Sequence, residues 1–89
     1  MKRLHIIIAG RVQGVAFRAA TREMATALDL TGWVQNLRDG RVEAVFEGED
    51  SQIEIIRRWC AHGPPSARVT GIDLHEEDYT GEFKGFNIR

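Results

Sequence analysis

Arg18 ends the run Gly10-Arg11-Val12-Gln13-Gly14-Val15-Ala16-Phe17-Arg18, in which an apolar stretch passes through two glycines into a segment of helical spacing. Such a junction is suited to holding an anion. The first N–H groups of a helix have no intrahelical partner and lie at the positive end of its dipole. Glycine lets the backbone close on a small ligand, and Arg18 adds a full charge with a fork of donors. The other reactive residue types form no comparable group. His5, His62 and His75 are scattered without ligand spacing, so no metal site is expected. Cys60 is the only cysteine, which excludes an internal disulfide, and it reads as a small buried hydrophobe on a helix. Arg57-Arg58 reads as the wet face of a helix, and Glu76-Glu77-Asp78 as a solvated acidic edge or loop.

The elements that must position Arg18 follow from hydrophobic spacing. Residues 3–9 read as an interior strand, with Leu4, Ile6 and Ile8 on one face and Ile7 on the other. Phe17, Ala20, Met24 and Leu28 recur at helical spacing and predict a helix of about three turns, broken at Thr31-Gly32. A second strand is expected over Trp33–Leu37 and a third over Arg41–Glu47, joined through Asp39-Gly40 as a tight hairpin. In the third strand Val42, Ala44 and Phe46 face a core, and the other face is expected to be wetter.

Ser51-Gln52-Ile53-Glu54 has capping-box spacing, and Ile53, Ile56 and Cys60, with Ile55 and Trp59 beside them, give a second helix its apolar stripe. Gly63-Pro64-Pro65 ends it. A fourth strand is expected around Val69–His75, a loop over Asp78–Gly81, and a short terminal strand at Phe86–Ile88. The order β-α-β-β-α-β predicts an α+β, ferredoxin-like sandwich, an antiparallel sheet with two helices on one face. The first strand then lies centrally beside the third. The turn after the first strand, which leads to Arg18, is then placed near the end of the second strand, so Arg18 and Asn36 are expected to converge. Trp33 and Phe17 are read as core residues.

Composition bounds the function. The 89 residues fit one domain, 1–89, with a single core. Twelve Lys+Arg against thirteen Asp+Glu leave a net charge of −1, so any attraction for an anion must be local. RNA-binding sheets of the same element order need exposed aromatics and a basic face, which this chain lacks, so no nucleic-acid partner is expected. No apolar run approaches the roughly 18 residues of a membrane span, and Leu4–Ala9 is too short for a signal peptide. The expectation is a cytoplasmic monomer without a membrane partner.

Gly10-x-Val12-Gln13-Gly14-Val15-x-Phe17-Arg18 resembles the signature of the acylphosphatase family, and Gly32-Trp33-Val34-Gln35-Asn36, with Asp39-Gly40-x-Val42 and Glu47-Gly48, resembles its second signature. The likeness continues through Gly63-Pro64-Pro65, Ala67-Arg68-Val69 and Gly85-Phe86-x-Ile88. It implies hydrolysis of acyl phosphates, a small-molecule substrate, to carboxylate and inorganic phosphate, with no metal or organic cofactor. It implies a phosphate-binding turn of Gly14, Val15, Ala16, Phe17 and Arg18, with Arg18 and Asn36 as the catalytic pair. Asn36 matches the family's water-positioning asparagine. Leu37 stands where some relatives carry a hydroxyl residue. Similar domains also occur within larger maturation proteins; the length and the lack of zinc-type cysteines favour the free-standing enzyme.

Overall fold

The computed structural model describes residues 1–89 as β1 (Lys2–Arg11), α1 (Phe17–Ala27), β2 (Thr31–Asn36), β3 (Val42–Gly48), α2 (Asp50–Cys60), β4 (Arg68–Glu77) and β5 (Phe86–Ile88). The strands lie in the order β4-β1-β3-β2-β5, so β1 is central and beside β3, as its apolar character requires. Leu4, Ile6 and Ile8 join Val42, Ala44, Phe46 and Val34 in the core, under Phe17 and Ala25 of α1 and Ile53, Ile56 and Cys60 of α2.

The sheet is mixed rather than antiparallel. Strand β5 pairs parallel with β2, with Val34 opposite Ile88, while every other pairing is antiparallel. The cause is the path of the chain, which leaves β4 at one edge and crosses to the opposite edge before β5 begins. The acidic run begins on the sheet edge, the first of the two alternatives read from the sequence. Glu76 and Glu77 belong to β4, where Glu76 pairs with Lys2 and Glu77 with Arg3 across β1.

Several boundaries and faces differ from the sequence reading. In α1 the fully buried stripe is Phe17, Thr21 and Ala25, with Met24 and Leu28 packed at its margin. Thr21 tolerates burial because its hydroxyl donates to the Phe17 carbonyl at 2.7 Å. The helix ends at Ala27, and the chain turns away at left-handed Asp29, with the Leu30 amide returning to the Ala25 carbonyl at 2.9 Å. Strand β2 therefore starts at Thr31 and ends at Asn36, leaving Leu37 in the hairpin loop.

Helix α2 uses no capping box at Ser51. The Glu49 carbonyl already accepts the Gln52 and Ile53 amides at 3.0 and 2.9 Å, which places Ser51 inside the first turn. Ile55 lies outside the apolar stripe and is exposed, whereas half-buried Trp59 packs on Phe17 with ring centres 5.5 Å apart. The face of β3 turned away from the helices is drier than expected, since Val45 and Glu47 are both buried there. Trp33 shares that face instead of the core, half-buried beneath the Arg89 guanidinium at 4.2 Å.

Candidate active site

Strand β1 delivers its chain into a turn anchored by two buried side chains, Val12 and Val15. Between and after them Gly14 (φ 72°) and Ala16 (φ 63°) are left-handed. For Ala16 that conformation costs about 1–2 kcal/mol, a local strain that the packed valines hold in place. Ala16 precedes the first residue of α1 and offers no side-chain cap, and the first turn contains no acidic residue. The first helical hydrogen bond runs from the Ala20 amide to the Ala16 carbonyl at 3.0 Å. The amides of Phe17, Arg18 and Ala19 are therefore left without helical acceptors, facing the positive end of the dipole outward.

A cavity of about 230 Å³ opens at this helix start, walled by Gln13, Gly14, Ala16, Arg18, Asn36 and Ile88 among others. The structure thus brings Arg18 and Asn36 to one space, as the topology predicts. Gly14, Ala16 and Phe17 line it too, whereas the Val15 side chain is turned into the core. Arg18 has no carboxylate within ion-pair distance, so its charge is uncompensated by the chain. A larger hollow of about 340 Å³ lies between α1 and α2 against Trp59, Pro64 and Pro65, but its lining is mainly apolar and holds no cation.

Gln13 and Ile88 are among the wall residues that the sequence reading did not assign to the site. Gln13 donates its side-chain amide to the carbonyls of Leu37 at 2.8 Å and Arg41 at 3.0 Å, joining the turn to the β2–β3 hairpin. Its place within the signature was the only signal. Ile88 reaches the cavity because β5 pairs with β2, an arrangement that three residues of terminal strand do not announce.

No histidine lines the cavity. His5 lies along β1, 2.7 Å from the Glu43 carboxylate through Nε2, and stacks on His75 of β4 with ring centres 6.1 Å apart. Burial pushes the Glu43 carboxyl upward, but hydrogen bonds from His5 and Gln35 outweigh it and hold that group below the usual carboxylate range. No cluster of three His, Cys, Asp or Glu side chains is placed to hold a metal ion.

An unpaired arginine, exposed helix amides and an asparagine around one small cavity can bind a phosphoryl group and a water together. A family model described as acylphosphatase matches residues 4–88. The chain belongs to the acylphosphatase family. It is 53% identical over 88 residues to an acylphosphatase of Methylococcus capsulatus, covering 99% of this chain and 96% of that one. It is 51% identical over 86 residues to that of Pelotomaculum thermopropionicum, covering 97% and 94%. The crystal structure of the acylphosphatase from Bacillus subtilis matches with a TM-score of 0.95 at 36% identity, over 100% of this chain and 99% of that one. The two-helix, five-strand architecture is thus the ferredoxin-like acylphosphatase fold. As an acylphosphatase the chain is a hydrolase of the carboxyl-phosphate anhydride, acting on a small-molecule substrate. No helix is long and apolar enough to cross a membrane.

Proposed function

We propose that the turn Gly14–Arg18 holds the phosphoryl group during this hydrolysis while Asn36 orients the attacking water. The observation that carries the reading is the shared cavity, where Arg18, the turn and Asn36 meet. The free amides at the start of α1 donate to the phosphoryl oxygens, and Arg18 offsets their negative charge as the group transfers. Positioning and electrostatics then supply most of the rate. The Asn36 amide holds the water in line but is no base at neutral pH.

The water oxygen bonds to phosphorus as the bond to the acyl oxygen breaks. The acyl oxygen leaves as a carboxylate, which needs no protonation by an acid. The water's proton passes to a phosphoryl oxygen, so neither a metal nor a histidine is required. Purified protein assayed with acetyl phosphate in the presence of a chelator tests this directly. Arg18→Ala is expected to lower the rate at least about a hundredfold, the usual cost of a lost transition-state contact, and Asn36→Ala to lower kcat more than it raises KM. Unchanged turnover in Arg18→Ala would refute the assignment.

We further infer a monomer in the cytoplasm with no nucleic-acid partner. Of the exposed large hydrophobics, Ile55, Leu74 and Ile88 lie on α2, β4 and β5 and Met1 and Tyr79 lie outside any element, a scatter that fits a monomer. A lone free thiol fits a reducing compartment. His5 and Gln35 are both hydrogen-bonded to the Glu43 carboxylate on the sheet, where an RNA-binding surface would display unpaired aromatics.

A further inference from the structure

The turn after β1 and the end of β2 are not backbone neighbours, because β3 lies between their strands. Two strand spacings, roughly 10 Å, separate them. Arg18 and Asn36 nevertheless have to keep a separation suited to one phosphoryl group and one water. The side chain of Gln13 spans the gap. Its Nε2 lies 2.8 Å from the Leu37 carbonyl, immediately after Asn36, and 3.0 Å from the Arg41 carbonyl, immediately before β3. An NH₂ group carries two donors, so both are used, and two carbonyl acceptors fix which end of the side-chain amide faces them. The hairpin is itself closed at that point by the Leu37 amide on the Arg41 carbonyl at 2.8 Å. Gln13 therefore grips the base of the hairpin, one residue before the left-handed Gly14.

We propose that Gln13 is a positioning residue for the hydrolysis. By tying the turn to the base of the β2–β3 hairpin, it sets the distance between Arg18 and Asn36. This rests on the roles proposed above for those two residues. A displacement of about 1 Å at a reacting group can cost on the order of a hundredfold in rate, so a clamp that spans two strands acts on kcat. It has much less effect on phosphate affinity, which the turn and Arg18 supply by themselves.

The test compares wild type, Gln13→Met and Gln13→Glu with acetyl phosphate. Methionine keeps length and half-burial without donors, and glutamate sets a carboxylate against two carbonyls. We expect kcat to fall about tenfold or more in both, while the inhibition constant of inorganic phosphate changes by less than about threefold. In an Asn36→Ala background the same Gln13→Met substitution should cost less than about threefold, because the water whose place it governs is no longer held. An equal loss with and without Asn36, or a phosphate affinity that falls in step with kcat, would overturn the proposal, as would an unchanged kcat in a folded variant. Failure of the underlying site reading shows separately, as full turnover in Arg18→Ala.

Discussion

The carboxylate of Glu47 accepts the backbone amide of Thr80 at 2.9 Å, although Glu47 is buried in β3 and Thr80 lies in the segment crossing from β4 to β5. The same carboxylate takes the Gly81 amide at 3.1 Å, the Thr80 hydroxyl at 3.1 Å and the Arg3 guanidinium at 3.3 Å. A buried charge so fully hydrogen-bonded is stable in place and costly to unpair. It fastens the crossing that carries β5, and with it Ile88, to the edge of the cavity.

Removal of that carboxylate should therefore be felt globally. Glu47→Ala leaves two backbone amides and Arg3 without their acceptor and should destabilise the protein by about 2–3 kcal/mol. Urea unfolding measures it. A loss below about 0.5 kcal/mol would show that the crossing is held by other contacts, such as the stacking of Phe86 on Phe46 at 5.3 Å.

Acid should weaken the fold in a window set by its paired carboxylates. Glu43 is held below its ordinary range as described, and Asp39, Glu54 and Glu82 are lowered chiefly by hydrogen bonds with Arg41, Arg57 and Arg3 respectively. For each, the folded value lies below the unfolded one. The stabilisation is present above the ordinary carboxylate value of about 4.3 and is lost as pH falls through the depressed values. Unfolding temperature should thus decline below about pH 4.5, and Glu43→Gln should flatten part of that decline.

Activity should behave differently from stability. No histidine or other group titrating near neutrality lines the cavity, so kcat should vary little between about pH 5 and 8 apart from ionisation of the substrate. A bell-shaped profile that disappears in His5→Gln, His62→Gln or His75→Gln would contradict the assignment of the site.

Gly63 couples the far end of α2 to the start of α1. Its φ is 69°, and a Cβ there would stand 2.3 Å from the Phe17 ring. Gly63→Ala should cost about 2–4 kcal/mol from backbone strain and overpacking. Because Phe17 adjoins Arg18, kcat should fall as well. Unfolding curves and acetyl phosphate turnover on one preparation check both parts; a variant as stable as wild type would contradict the prediction.

The thiol of Cys60 should be silent in the native state. Burial pushes its pKa up to about 12, which removes the reactive thiolate. Labelling by a thiol reagent should follow unfolding, and modification of the native protein as fast as of the unfolded chain would contradict this.

Hydrophobic spacing in the sequence by itself determined the elements and their order, because Leu4, Ile6 and Ile8 alternate with a period of two and the residues after Phe17 change to a helical period. Glycines before a helix start carry local backbone information and marked the turn that ends at Arg18, whereas Asn36 was marked by the likeness to the family's second signature. Tertiary structure alone decided three things. The partner and direction of β5 depend on the crossing pinned by Glu47, a contact made across the sheet. The faces of Trp33 and Val45 depend on what covers the sheet, which periodicity does not report. The link from Gln13 to Leu37 and Arg41 joins the turn after β1 to the β2–β3 hairpin loop, and no local pattern records a hydrogen bond formed only after the sheet has assembled.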